Sequence, residues 1–531
     1  MTASGGHSRA LGIGGGLVVG LAAVFAMTLV MALLRLGLGV PTPWELVGDR
    51  MAPSFSAGEF LGLLQRFGGY NQLKQLGTGS VILGQTVVGL LGALAFALIE
   101  ARKLKKENGS RSRAGKTKAG LLFVIGFVLV LWIVTLILLW PVLSTSFSGL
   151  PPGPATAATA AGTLLSYGAY GFTLLVAHRF STRPASTGSG ATGKGATRRR
   201  MFLVTGGMAV LAGAALATLA KLYRLATFSY DGTQYIGLDV QAITPNDRFY
   251  TVTKNVIDPD VTRSVWRLEV AGLVERPRAY TFEDLKALPD VSQETTLTCI
   301  SNWVGGGLMS NALWRGVPLR RLLDAAGPKP GVVEVFFRAV DGYTDTISFE
   351  KAIEPTTIVA YEMNGEPLPK RHGYPVRVIV PGMFGEKNVK WVTRVELVDH
   401  DAKGFYETQG WGPNFSAPTR SRFDFPYYDQ AIPFKSPVEL KGTAFGGDRG
   451  VSRVEVSVDG GASWHEANID YEGTRLTWAL WSYSWAPQGP GEFKLVVRAT
   501  DGSGVIQTAE DRGTVPEGAT GYHRVTLRLE T

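Results

Sequence analysis

Five stretches without a charged side chain, 11–34, 79–99, 119–143, 155–177 and 201–220, punctuate the first 222 residues. Each is near the ~20 residues an α-helix needs to cross a hydrocarbon core. The third, AGLLFVIGFVLVLWIVTLILLWPVL, is the most apolar, and the fourth is Ala/Thr/Gly-rich, as suits a helix packed among others. From about residue 229 the texture changes to short alternating runs such as WRLEVAG (266–272), VRVIVP (376–381) and VEVSVDGG (454–461), which read as strands. Thr281 and Asp284 in TFEDLKAL mark a capped helix start. Some seven strand-like runs follow 432, among them TWALWSYSW and EFKLVVRATD. The pattern predicts a five-span α-helical transmembrane region over 1–228 and an α+β domain over 229–431. An immunoglobulin-like β-sandwich without paired cysteines is expected over 432–531.

Charge fixes an expected orientation. Residues 101–118 carry a net +7 and 179–200 a net +6, whereas 144–156 hold no Lys or Arg. The positive-inside rule puts both basic loops and the N-terminus in the cytoplasm, and five spans then leave everything after about 222 on the outer face. The chain's net charge is +9, so the remainder is net negative and the basicity is topological. Nucleic-acid binding loses its support. At the fifth span, Arg199-Arg200-Met201-Phe202-Leu203 resembles an internal twin-arginine export signal, with inside-anchoring arginines as the alternative reading.

The chain has one cysteine, which excludes an internal disulfide and any multi-cysteine metal site. That residue, Cys299 in TTLTCISNWVGGG, follows a strand-like run and precedes a Gly-rich loop. A lone thiol is commonly an inert core group, but in an exported domain it is an oxidation liability. A thiolate suits a soft or high-valent metal.

With YEMNGEPLPKRHGYPVRVIVPGMFGEKNVKWV (361–392), TLTC, LWRGVPLRRLL (313–323) and FYTVTKN (249–255), the exported half resembles the sulfite oxidase family of molybdopterin-dependent oxidoreductases. The likeness extends into VEVSVDGGASW and GYHRVTL, covering about 300 residues and leaving the apolar runs outside it. It implies one molybdenum held by a pterin dithiolene, with Cys299 as the metal's protein thiolate. It places His372, Arg377 and Lys390 at the pterin's phosphate end, with Lys387 nearby. Lys254 and Asn255 fall where the family's early loop meets the cofactor, and Asp341 is a further carry-over. An anionic phosphate end calls for such cationic and donating side chains. The resemblance also implies packing of the terminal sandwich against the molybdenum domain, and a homodimer.

The departures bear on substrate. Family arginines that follow the metal cysteine are replaced here by Trp303 and Val304, and Trp411 is the nearest aromatic to the family's later active-site tyrosine. Lost positive charge favours an uncharged, sulfoxide-like substrate reduced by oxygen-atom transfer, with sulfite dehydrogenase as the alternative. Only His7 and His178 fall in the first 230 residues, so no bis-histidine haem is expected in this chain. A separate cytochrome or quinone-linked electron partner is expected instead. A non-catalytic membrane-tethered scaffold or adhesion protein is the rival of another class, opposed by the retained metal-site residues. A transport role for the spans is opposed by their lack of interior ionisable groups.

Overall fold

The computed structural model describes residues 13–107, 118–182 and 193–531 and divides into two compact units. Parts of both basic loops, and His7, lie outside the described residues.

The first unit is helical and takes in residues up to 51, 71–226 and 255–257. In chain order the helices before residue 226 are α1 (Ile13–Leu38), α2 (Pro43–Met51), α3 (Ala57–Arg66), α4 (Tyr70–Glu107), α5 (Lys118–Leu139), α6 (Pro152–Thr182) and α7 (Gly193–Leu225), of which α3 belongs to the second unit. Among the described residues, five segments are long and apolar enough to cross a membrane by length and composition: Gly15–Leu38, Tyr70–Arg102, Gly120–Val142, Pro152–Phe180 and Gly206–Leu225. α1 packs against α6 and α7, and α5 against α6. Polar side chains on these helices spend their donors on neighbouring backbone. Trp132 Nε1 donates to the Ala160 carbonyl at 2.8 Å, and Tyr170 Oη to that of Gly89 at 2.6 Å. Arg35 and Glu45 pair at 2.8 Å with both side chains buried. The arginine pair 199–200 lies within α7.

The second unit takes in 52–70, 227–254 and 258–531. Its strands β1 (Leu268–Gly272), β2 (Arg278–Tyr280), β3 (Val291–Thr298), β4 (Met309–Pro318), β5 (Glu334–Ala339), β6 (Thr344–Ser348), β7 (Ile358–Met363), β8 (Glu366–Pro367), β9 (Arg377–Ile379) and β10 (Val392–Val398) form two sheets, the first mixed through its parallel β1–β10 pair and the second antiparallel throughout. One runs β2-β1-β10-β5-β6; the other runs β3-β4-β7-β8, with β9 also on β7. The expected capped helix is present: Thr281 and Asp284 form a reciprocal capping box. A core including Trp266, Leu322, Phe337, Val378, Trp391 and Val395 fills the space between these elements.

The terminal region is a two-sheet β-sandwich. One sheet is ordered Arg420–Phe425, Val438–Phe445, Ala479–Trp485, Asn468–Tyr471. The other is ordered Gln430–Pro433, His523–Glu530, Gly491–Asp501, Val451–Ser457, His465–Glu466. Residues of both sheets share one core around Phe423, Leu440, Val454, Trp481, Leu495 and Leu527. One strand of the first sheet lies before the expected boundary at 432. Arg420–Phe425 pairs with Val438–Phe445 and belongs to this sheet, because backbone pairing rather than local composition assigns a strand.

Candidate functional site

β3 ends at Thr298, and Cys299 begins the turn that follows. Its N–H donates to the Leu308 carbonyl at 3.0 Å, and its own carbonyl accepts from Asn302 at 3.1 Å. This turn aims the thiol into a cavity of about 270 Å³ whose lining includes Tyr250, Lys254, Asp341, His372, Arg377, Lys390 and Trp411. Ser301 Oγ lies 3.1 Å from the sulfur. Desolvation pushes the thiol pKa up to about 11, aided by the carboxyls of Glu386 and Asp231 and opposed by the Ser301 hydrogen bond.

The Lys370–His372 turn and β9 bring a cationic group to the same cavity. Gly373, at φ +115°, makes the turn possible, since a Cβ there would stand 3.0 Å from the Arg377 Cβ and 3.2 Å from that of Lys390. Arg377 is buried and donates to the carbonyls of His372 (3.2 Å) and Asn388 (2.9 Å). Its Nε has no partner among the described residues. Burial lowers its pKa to about 10. Lys390 donates to the Arg371 carbonyl at 3.1 Å and lies 4.4 Å from the Trp391 ring centre. His372 is 2 % exposed, sits edge-on to Phe249, and donates from Nε2 to the Asn246 carbonyl at 2.9 Å. Burial holds its pKa well below the ordinary histidine value. Lys254 Nζ donates to the Asp341 carbonyl at 2.8 Å.

An unpaired buried guanidinium nitrogen amid other cations suits an anionic group. A thiol opening onto the same cavity suits a metal, which would displace its proton. The donors present therefore fit a phosphate-bearing, metal-carrying cofactor.

Not every expected residue joins this cavity. Trp303 is 60 % exposed and does not line it, so the expected aromatic replacement for the family's arginines points away from the site. Asn255 is absent from the lining and groups with the helical unit, where its carbonyl accepts from Lys74 Nζ at 2.8 Å. Lys387 is spent internally: its buried ammonium pairs with Asp345 at 2.7 Å and Glu407 at 3.4 Å, and lies 3.8 Å from the Phe415 ring centre.

Three hydroxyls and one carboxyl escaped the sequence reading. Tyr250, Tyr343, Tyr406 and Glu386 all line the cavity. Tyr343 Oη donates its proton to Asp345 at 2.6 Å, with the Glu386 carbonyl 3.2 Å away. Glu386 Oε1 is buried without a partner among the described residues, and burial drives its pKa well above the ordinary carboxyl range. Tyr250 and Glu386 sit inside the quoted motifs 249–255 and 361–392, so their positions were visible but not their direction.

Known families account for much of this unit. "Oxidoreductase molybdopterin binding domain" matches residues 255–406, and "Mo-co oxidoreductase dimerisation domain" matches 418–530. Mitochondrial sulfite oxidase of Mus musculus is 33 % identical over 314 residues, covering 50 % of this chain and 57 % of that protein. The two matched domains and this relative support the sulfite oxidase family for residues 255–530. Another sulfite oxidase family relative, from Drosophila melanogaster, is 30 % identical, covering 54 % of this chain and 60 % of its own length. Nitrate reductase [NADH] 2 of Phaseolus vulgaris is 29 % identical, covering 45 % of this chain and 34 % of itself. The chain thus spans 60 % or less of these relatives. Among solved structures, the sulfane dehydrogenase SoxCD of Paracoccus pantotrophus superposes with a TM-score of 0.49 at 25 % identity, covering 55 % of this chain and 85 % of that one. The five apolar helices lie outside the matched family residues.

Proposed function

We propose that the chain is a membrane-anchored molybdenum oxidoreductase performing two-electron oxygen-atom transfer in the cavity at Cys299. The observation that carries this reading is the convergence of the chain's one thiol and a partly unpaired cationic cradle on a single cavity. When bound, the molybdenum cofactor supplies redox chemistry coupled to oxygen transfer. Cys299 is the metal's thiolate ligand. Arg377, Lys390 and Lys254 hold the pterin's anionic end beside a neutral His372 whose Nε2–H is spent on the Asn246 carbonyl, and Asp341 orients Lys254 through its carbonyl. Lys387 acts one step back, fixing Asp345 and through it the Tyr343 hydroxyl.

Two substrate classes compete. The sulfite oxidase relatives favour sulfite oxidation. The surroundings of Cys299 favour reduction of an uncharged oxide such as a sulfoxide. In that reaction the sulfoxide takes up two electrons and two protons, its sulfur–oxygen bond breaks, and a thioether and water leave. The Asp231 carboxylate is felt at the sulfur and repels a dianion, while burial keeps the Glu386 carboxyl protonated and uncharged beside it. Arg420, also felt there, is buried with its guanidinium bonded to Thr298 Oγ1 and the Asn302 carbonyl, each at 3.0 Å.

Five spans with a cytoplasmic N-terminus would leave the catalytic unit outside the cytoplasm, served by a separate cytochrome or quinone-linked partner. The dimerisation-type terminal domain, of immunoglobulin-like kind in this reading, supports a homodimer. The test is metal and pterin analysis of the wild type beside Cys299→Ser, with turnover of dimethyl sulfoxide by reduced viologen and of sulfite by ferricyanide. The wild type is expected to hold roughly one molybdenum per chain, and the variant to fold but lose turnover. Metal-free wild type from cells that make the cofactor would sink the enzyme reading. Faster sulfite turnover would select sulfite oxidation.

A further inference from the structure

One wall of the cavity comes from outside the matched family residues. The segment Ala52–Tyr70 lies in sequence between two apolar helices, α1 and α4, yet folds with the catalytic unit. Its helix α3 is fixed at the start by a reciprocal capping box in which Ser56 Oγ accepts from the Glu59 N–H and Glu59 accepts from the Ser56 N–H. Apolar positions 57, 60, 61 and 64 fall at the i, i+3, i+4, i+7 spacing of one helix face. Phe60, Leu61 and Leu64 line the cavity, as does Tyr70, whose ring meets Phe60 edge-on with centres 5.8 Å apart.

The segment stands at the thiol end of the cavity. Ala57 is 2 % exposed and shares an apolar cluster with Ile300, Met309, Trp411 and Phe415. Ala52–Ser54 packs against Glu407–Gln409, next to Tyr406. Ile300 adjoins Cys299 directly. The cavity's cationic side chains come instead from the Lys254 loop, the Lys370–His372 turn, β9 and Lys390.

We propose that Phe60, Leu61 and Leu64 are specificity-determining residues: with α3 in place, the space beside the thiol admits an uncharged, apolar-bodied substrate and disfavours free oxyanions. An apolar helix face has no donor to replace the water an oxyanion must shed, whereas it gains by covering methyl or methylene groups. This rests on the cavity being the site of turnover, so one arm of the test does not use turnover.

That arm takes the full-length chain from cells that cannot make the cofactor and follows alkylation of Cys299, the chain's one thiol, by neutral N-ethylmaleimide and by anionic iodoacetate. Leu61→Ala/Leu64→Ala retains good helix formers and should speed labelling by both reagents roughly tenfold. The milder Leu64→Ala should act in the same direction if the double variant is poorly folded. Rates within about twofold of wild type in a folded variant would remove α3 from the wall. The second arm uses the holoenzyme with equal molybdenum content. Leu64→Lys should shift the ratio of kcat/KM for sulfite over dimethyl sulfoxide upward by about tenfold through supplied positive charge. An unchanged ratio would overturn the specificity role. Wild type that turns over neither compound, with labelling still accelerated in the alanine variants, would refute the substrate classes above and leave the wall standing.

Discussion

His523 shows how a single side chain joins the terminal sandwich to the loop carrying the thiol. Its Nδ1 accepts the Phe423 N–H at 3.0 Å, so the ring must keep a lone pair there. Gly305, at φ +81° in the loop after Cys299, lies so close that a Cβ would stand 2.3 Å from His523 Nε2. Burial lowers the ring's pKa to about 4, reinforced by Arg422 and opposed by Asp429. The unfolded chain therefore binds this proton at a higher pH than the folded one. The resulting stability is whole above pH ~6.5, erodes as pH falls, and is spent by pH ~4, up to about 3 kcal/mol. Melting temperature should drop on going from pH 7 to 5, and His523→Gln should flatten that drop. An equal slope in both proteins would assign the acid sensitivity to other groups. At this scale the sequence exposed Cys299, His372, Arg377 and Lys390, because a motif fixes residue identity and spacing. It did not expose the direction of Glu386 and Tyr406, nor the outward turn of Trp303, since rotamers answer to neighbours far away in the chain.

Among the elements, the strand Arg420–Phe425 does the most to position the site. Arg420 donates to Thr298 and Asn302, on either side of Cys299. Arg422 donates to the carbonyls of Gly306 and Tyr235 at 2.9 and 2.8 Å, and pairs with buried Asp424 at 2.9 Å. The thiol's turn is thus held by a strand of the terminal sandwich. Arg422→Ala should cost about 3–5 kcal/mol, because it strands the Asp424 carboxylate and frees two carbonyls. The measurement is thermal unfolding with molybdenum content. Arg422→Met/Asp424→Leu should recover part of the stability without restoring the grip on Gly306, so metal retention should stay low. A double variant with full retention would show that the strand merely packs. Local alternation identified strands on both sides of 432, but could not say that the first belongs with the last. Pairing of Arg420–Phe425 with Val438–Phe445 is a register between segments, not a property of either.

For the whole molecule, the proposed topology predicts that reporters active only in the cytoplasm work when fused within 101–118, while reporters needing export work within 144–151 and after 228. Lys replacements at Arg199 and Arg200 should stop export of the catalytic unit if the internal signal operates, and leave it unchanged if those arginines only anchor the span. Cytoplasmic activity of a fusion after 228 would overturn the orientation itself.

The sequence by itself determined what short-range regularity can carry. Five uncharged runs emerged as five long apolar helices, since a helix of that length satisfies its own backbone without distant partners. The ordered motifs determined the family, because they fix side-chain chemistry at set intervals. Tertiary structure decided which distant pieces share the thiol's surroundings: α3 from between two apolar helices, and the arginine strand from the terminal sandwich. The amphipathic face of α3 is legible at 57, 60, 61 and 64, but a face that must be buried does not name what buries it. That choice belongs to the long-range contacts.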